Sequence, residues 1–256
     1  MRRAAVLPLA ACLALAVAGA RASDSRDPFQ SPQWTLVHRE ALKLAPVVFD
    51  SRVKVTGPAF AEDPMRVPIA FDASALGEVD RIVVAVDRNP IRTVLEFEPL
   101  KVRPSLSFRF KLEQASPVRV AARTRDGVWH VGGTMVDASG GGCTVPGATR
   151  RDGSWSTTLN RVESRVFPGL GGSGGRVRLR VMHPMDTGLV AGIPAFHIES
   201  LTLSDGARQP MLRLTLHEPV AENPIFSFDL REAIERGMTV AGRDNNGNRI
   251  AAQVTP

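Results

Sequence analysis

Residues 106–112 read Leu-Ser-Phe-Arg-Phe-Lys-Leu, with apolar and polar side chains in strict alternation. A period of two places alternate side chains on opposite faces of a β-strand, so this segment predicts a strand with one buried and one exposed face. Upstream, the run Val83–Val86 is rich in β-branched residues and is typical of a central strand. Helical spacing is clear only at 32–44, where Ser31 and Pro32 form a start signal for one amphipathic helix.

Short predicted strands, separated by turns rich in glycine, proline and asparagine, continue on both sides of this stretch. The pattern weakens between Ser139 and Gly175, where glycine runs flank a segment with little periodicity. Strand patterns resume from Arg176 onward. The sequence therefore predicts an all-β chain of two sandwiches, at 23–143 and 176–256, joined by a flexible linker at 144–175.

The N-terminal residues 1–22 have the form of a secretory signal peptide. Arg2 and Arg3 precede an apolar stretch, and a small-x-small cleavage site ends at Ala22. A competing interpretation is a lipoprotein signal with its lipid on Cys12. That cysteine lies early in the apolar run, so we expect a mature chain without a lipid, exported to the periplasm.

Composition excludes several classes of protein. The formal charge of +6 falls to +3 once three leader arginines are removed, and the basic residues are scattered among acidic ones. Aromatic residues make up only 5% of the chain, which disfavours nucleic-acid binding by base stacking. Past the leader, no apolar run reaches the roughly 18 residues of a membrane span. The sequence also indicates no cofactor and no metal site.

One cysteine, Cys143, remains after the leader is removed, and it follows Gly140, Gly141 and Gly142. An exported chain with a single cysteine forms no internal disulfide, so the thiol is buried, paired with another molecule, or reactive. Three glycines remove side-chain bulk and leave the backbone free to carry the thiol into a narrow cleft. We therefore predict that Cys143 is a functional thiol on a flexible arm.

The mature chain resembles a fusion of the two subunits of the SoxYZ sulfur carrier, and in particular the SoxYZ-like carriers associated with quinoprotein dehydrogenases. The glycine-cysteine segment resembles the end of SoxY. The second half resembles SoxZ in three segments, which are VMHPMDTGL at 181–189, IPAFHI at 193–198 and ENPIFSF at 222–228.

This resemblance implies two immunoglobulin-like sandwiches that pair within the chain. It also implies a covalent carrier on Cys143 that holds a sulfur intermediate and serves periplasmic redox enzymes or cytochromes, without being an enzyme itself. The sequence departs from the family where Thr144, Val145 and Pro146 follow the cysteine and the chain continues. The arm is therefore tethered at both ends, or it forms a protruding loop.

Two alternatives stay open at this point. The first is a non-covalent adaptor for a periplasmic quinoprotein dehydrogenase, in which Cys143 would be dispensable. The second is a copper chaperone, because His183 and Met185 belong to a group of histidines and methionines in the second half. The same residues also fit the SoxZ resemblance, which weakens the case for copper.

Overall fold

The computed structural model describes residues 26–169, 174–232 and 237–254. The predicted signal peptide at 1–22, with Cys12, lies outside these ranges. So do the glycines at 171 and 172. None of the helices within the described ranges is long and apolar enough to cross a membrane.

Three α-helices are described, which are α1 (Trp34–Ala41), α2 (Ala148–Asp152) and α3 (Trp155–Thr158), together with a 3₁₀ turn at Ser74–Leu76. The strands of the first half are β1 (Val47–Phe49), β2 (Lys54–Thr56), β3 (Phe60–Ala61), β4 (Val67–Asp72), β5 (Val79–Val86), β6 (Thr93–Glu98), β7 (Val102–Phe110), β8 (Ser116–Thr124) and β9 (Trp129–Ala138). Those that follow are β10 (Val162–Phe167), β11 (Arg176–Val181), β12 (Ile198–Ser204), β13 (Pro210–Leu216), β14 (Ile225–Leu230), β15 (Met238–Asp244) and β16 (Arg249–Val254).

The strands form two sheets that face each other across the core. The larger sheet has the order β1-β9-β8-β5-β6-β13-β12-β15-β16, with β3 also paired to β9. The smaller sheet has the order β10-β11-β14-β7-β4-β2. The predicted all-β class is confirmed, and the chain is built of two immunoglobulin-like β-sandwich domains with a short N-terminal helix.

Both sheets run without a break from one half of the chain into the other. In the larger sheet β6 pairs antiparallel with β13, and Phe97 lies opposite Leu214. In the smaller sheet β7 pairs antiparallel with β14, and Ser107 lies opposite Ser227. One hydrophobic core accordingly contains buried side chains of both halves. We call the boundary along these two strand pairs the seam.

The alternating stretch behaves as predicted over most of its length. Leu106, Phe108 and Phe110 are buried in the core, whereas Ser107 and Arg109 face outward. The pattern fails at Lys111, which alternation places in solvent but which is only 3% exposed. The second half covers this position, so the lysine lies inside the seam.

The N-terminal helix is shorter than the predicted segment at 32–44. The Ser31 hydroxyl accepts a hydrogen bond from the Gln33 amide at 3.3 Å, at the start of α1. The helix ends before Lys43 and Leu44, because both adopt a positive φ that interrupts helical geometry. Its apolar side packs beside Val83 and the neighbouring strands.

The segment at 144–175, for which a flexible linker is predicted, is ordered over most of its described length. It contains α2, α3 and β10, and β10 pairs antiparallel with β11 through six residue pairs. Val162 and Val166 pack against the core. Partial burial of these two side chains helps to hold the segment at the edge of the smaller sheet.

Candidate functional site

Cys143 lies in the loop that follows β9, and it is buried at the seam rather than displayed at the surface. Its side chain is 1% exposed. The Sγ atom is 3.7 Å from the carbonyl oxygen of Lys111, just beyond the end of β7. We call residues 139–147 the cysteine loop. In this structure the cysteine loop is docked against the first half.

The three predicted arm glycines shape this docking. Gly140 and Gly141 adopt φ values of 104° and 83°, a region that other residues rarely enter. A side chain at Gly142 would overlap the carbonyl oxygens of Pro64 and Leu112. The glycines therefore allow a tight turn and a close approach of the backbone. Flexibility of the arm stays a prediction.

Glu113 holds the cysteine loop through both oxygens of its carboxylate. The amide of Cys143 donates to Oε2 at 2.9 Å, and the hydroxyl of Thr144 donates to Oε1 at 3.0 Å. The amides of Gly141 and Gly142 donate to the carbonyl oxygens of Glu113 and Leu112, both at 3.2 Å. The segment that follows β7 thus binds the cysteine loop through both its backbone and the Glu113 side chain.

The second half contributes from the opposite side. The hydroxyl of Thr187 donates to the carbonyl oxygen of Cys143 at 2.6 Å, and the amide of Leu189 donates to the same hydroxyl at 3.2 Å. The buried ammonium group of Lys111 donates to the carbonyl oxygen of Met185. Residues of the 181–189 motif therefore contact both the cysteine and the lysine beside it.

The segments at 181–189 and 222–228 also bind each other, and the second of them binds the chain beyond the cysteine. Asn223 and His183 exchange two hydrogen bonds, at 2.8 and 3.0 Å. The carboxylate of Glu222 accepts hydrogen bonds from the amides of Ala148 and Thr149, at 2.7 and 2.9 Å. These contacts anchor the start of α2, which directly follows the cysteine loop.

Electrostatics keep the docked thiol protonated. Burial, and to a smaller extent the nearby Glu113, raise the pKa of Cys143 to about 12, while Lys111 acts in the opposite direction. Burial also lowers the pKa of Lys111 to about 8. Because the thiolate is the nucleophilic form of cysteine, the docked thiol is a poor nucleophile at neutral pH.

The histidines and methionines of the second half are packed inside it. His183 and Met185 are buried, and the Met185 sulfur accepts a hydrogen bond from the Ile198 amide at 3.3 Å. Within the three described ranges, no group of three or more His, Cys, Asp and Glu side chains is arranged to hold a metal ion.

Sequence reasoning identified Cys143 and its glycines but missed the residues that hold them, which are Lys111, Glu113, Thr187 and Glu222. Thr187 and Glu222 lie within the segments that carry the SoxZ resemblance. The sequence therefore pointed to these positions but not to the contacts that they make. Lys111 carried a weaker signal, as one of four lysines in the chain.

Comparison with known proteins divides the chain at this site. The family model of the sulfur oxidation protein SoxY matches residues 38–143, and that of the sulphur oxidation protein SoxZ matches residues 170–255. The first match ends at Cys143. A solved structure of the sulfur carrier protein SoxY from Chlorobium limicola f thiosulfatophilum is 18% identical, with a TM-score of 0.37, and the match covers 42% of this chain and 96% of that chain. No curated protein matches the chain.

Proposed function

The chain belongs to the SoxYZ family, with a SoxY domain and a SoxZ domain fused in one polypeptide, and from this premise we propose that Cys143 is the covalent attachment point of a periplasmic sulfur carrier. The observation that carries the proposal is the position of the thiol. Cys143 is the last residue of the SoxY match, and side chains of both domains hold its backbone.

The chemistry required of the carrier is sulfur exchange without net oxidation. The Cys143 thiolate attacks the outer sulfur of a persulfide on a partner protein. A new sulfur–sulfur bond forms on Cys143, the partner's sulfur–sulfur bond breaks, and the partner's thiolate leaves. The carried sulfur then passes on by the reverse exchange with a second protein. The chain itself performs no turnover.

Exchange requires the docked thiol to leave its site. The hydrogen bonds that must break include the Glu113 carboxylate bonds to Cys143 and Thr144 and the Thr187 bond to the Cys143 carbonyl. The bonds from the amides of Gly141 and Gly142 to the segment after β7 must break as well. Each such hydrogen bond contributes about 1 kcal/mol net. We propose that the cysteine loop undocks as a unit, while both sheets stay in place.

Docking gives the carrier a protected state. A thiol with a raised pKa and little exposure reacts slowly with adventitious oxidants and disulfides. Once undocked, the same thiol regains the ordinary cysteine pKa of about 8.5 and becomes reactive. Reactivity is thereby confined to the time during which the loop is open.

The burial of Cys143 also favours a second candidate, in which the chain is a non-covalent adaptor and the cysteine is a packing residue of the seam. That candidate predicts that Cys143→Ser retains full function in cells. The carrier predicts that it abolishes function.

The direct test is sulfur loading of the purified, reduced protein. After brief incubation with inorganic polysulfide and removal of the excess, intact mass spectrometry is expected to show a gain of whole sulfur atoms that reductant reverses. Peptide mapping would place the gain at Cys143, and Cys143→Ser would show none. Gly142→Ala, which disfavours docking, is expected to load faster than wild type.

A matched control is Gly237→Ala, because the added methyl group has room there. Its loading rate should equal that of wild type. If wild-type protein and Gly142→Ala both fail to take up sulfur under conditions that label a small thiol, the carrier proposal is refuted and the adaptor takes its place.

A further inference from the structure

The outer face of the smaller sheet carries arginines without acidic partners. Arg103 and Arg109 on β7, Arg178 on β11 and Arg165 on β10 are all exposed. None of them forms an ion pair with an acidic residue of the described ranges; the pairs seen on this face are Arg176 with Asp229 and Arg180 with Glu163. We call the four unpaired residues the arginine face.

The larger sheet shows the opposite arrangement. Four of its outward arginines are matched with carboxylates, in the pairs Arg123–Asp80 at 2.9 Å, Arg213–Glu98 at 3.0 Å, Arg243–Glu199 at 3.1 Å and Arg81–Glu96. The larger sheet thus pairs most of its outward arginines with carboxylates, whereas four of the six arginines on the outer face of the smaller sheet have no such partner within the described ranges. The two sheets therefore differ in where acidic partners lie, because outward-facing arginines are present on both.

Small side chains lie among these arginines. Ala70, Ser107 and Ser227 form one row across β4, β7 and β14, and Arg178 continues that row on β11. Together with the flanking residues they line a groove of about 1050 Å³, which Arg103, Arg109 and Arg178 border. A surface feature from another molecule therefore has room to enter between the cations.

The spread of the charges indicates what kind of ligand fits. Arg103 and Arg109 are six residues apart on one strand, which corresponds to roughly 20 Å. Arg165 lies three strands away from β7, or roughly 14 Å. One inorganic oxyanion spans only a few ångströms and reaches neighbouring arginines at most. Only an extended array of negative groups, such as carboxylates on a protein, contacts the whole face.

We propose that the arginine face docks an acidic surface of a partner protein. The face borders the cysteine loop, since Arg109 precedes Lys111 by two residues and the Lys111 carbonyl oxygen lies 3.7 Å from the Cys143 sulfur. A partner bound on this face has the thiol at the edge of its footprint. The inference rests on the proposed function only in identifying this partner as one that exchanges sulfur.

The chemistry of the face suits brief encounters. Exposed complementary charges accelerate association and add little to affinity, and small polar interfaces dissociate quickly. A carrier that visits several proteins needs both properties. The face is also independent of the thiol, so the two proposals can fail separately.

The test uses a fluorescein-labelled peptide of alternating glutamate and alanine as the probe, with the full chain as receptor. Fluorescence anisotropy at low ionic strength is expected to show binding that weakens as sodium chloride is added. Arg109→Glu/Arg178→Glu should weaken binding at least about tenfold. The matched control Arg208→Glu/Arg249→Glu makes the same change of charge at exposed positions away from the face and should bind nearly as wild type does.

Three results would overturn the proposal. The first is an equal loss of peptide affinity in both double variants, which would indicate that net charge alone decides binding. The second is the absence of binding at low salt. The third is displacement of the peptide by sulfate at concentrations where sodium chloride of equal ionic strength does not compete. The last result would assign the groove to a small oxyanion. Cys143→Ser should bind the peptide as wild type does while failing to load sulfur.

Discussion

The hydroxyl of Thr187 in the SoxZ domain donates a 2.6 Å hydrogen bond to the carbonyl oxygen of Cys143 in the SoxY domain. This bond joins two positions 44 residues apart, and it is buried. Fusion of the domains therefore does more than fix their ratio, because a residue of the second domain holds the backbone of Cys143 in the first.

Thr187→Val removes that donor while keeping the shape of the side chain. The loss of one hydrogen bond, worth about 1 kcal/mol, should raise the open population of the cysteine loop about fivefold. Alkylation of Cys143 by iodoacetamide in the native protein should accelerate by the same factor. Thr187→Ser keeps the hydroxyl and serves as the control. Equal rates for the two variants would show that this bond does not restrain the loop.

The pH dependence of the same alkylation separates two routes to the thiol. Since burial raises the pKa of Cys143 to about 12, direct reaction of the docked thiol would keep accelerating up to that pH. Reaction through an undocked loop should instead reach, at high iodoacetamide concentration, a limiting rate that is set by loop opening and no longer depends on pH. We expect the second profile, measured between pH 7 and 10 while circular dichroism confirms that the protein stays folded.

A buried ion-pair network fastens the N-terminal segment. Arg119 is 2% exposed, and it binds Asp87 at 2.7 Å and Asp27 at 2.7 Å. Arg119→Met should lower the free energy of unfolding by about 3–5 kcal/mol, because it leaves a buried carboxylate without its partner. Urea denaturation measures the change.

The exposed pair Arg213–Glu98 provides the matched comparison, and Arg213→Met should lower the free energy of unfolding by less than about 1 kcal/mol. Similar losses for Arg119→Met and Arg213→Met would contradict the assignment of the Arg119 network as a structural fastener.

Stability should fall as the pH is lowered from about 6.5 to about 4. Burial lowers the pKa of His183 to about 4, whereas an unfolded histidine titrates near 6.5. Within this window the unfolded chain binds a proton that the folded chain excludes, so acid favours unfolding. Burial lowers the pKa of His217 as well, which adds in the same direction.

His183→Asn removes the titrating ring, which is packed inside the second half. Its free energy of unfolding should depend less steeply on pH across this window than that of wild type, with the remaining slope due in part to His217. Thermal or urea unfolding at several pH values measures both curves. Parallel curves for the variant and the wild type would show that His183 does not contribute to the acid sensitivity.

The sequence predicts the strands well wherever a strand has one buried and one exposed face, as at Leu106–Phe110. It fails at Lys111, because the cover over this side chain comes from Met185, which is 74 residues away. It also fails at β10, where Val162 and Val166 give only a faint alternation that the neighbouring glycines obscure. The local sequence pattern predicts strands and helices, whereas contacts between distant segments decide whether an outward-facing residue is exposed or covered.

The glycines before Cys143 show the same limit for the site. Their number predicts an unusual backbone, but only the structure shows that Gly142 sits against Pro64 and Leu112. The choice of Cys143 as the candidate residue followed from the sequence alone. Its burial did not, because burial depends on Glu113 and Thr187, whose contacts no spacing rule connects to it.

The strand pairs that cross the seam bear on the order of folding. Arg213 and Glu98 lie in register on β13 and β6, 115 residues apart in the chain. Contacts between such distant residues form slowly, so the SoxY domain stays incomplete until the SoxZ domain has emerged. Produced alone, each domain would leave two long strand edges open to self-association. We therefore expect the halves to be soluble only when they are made together, whether joined or coexpressed.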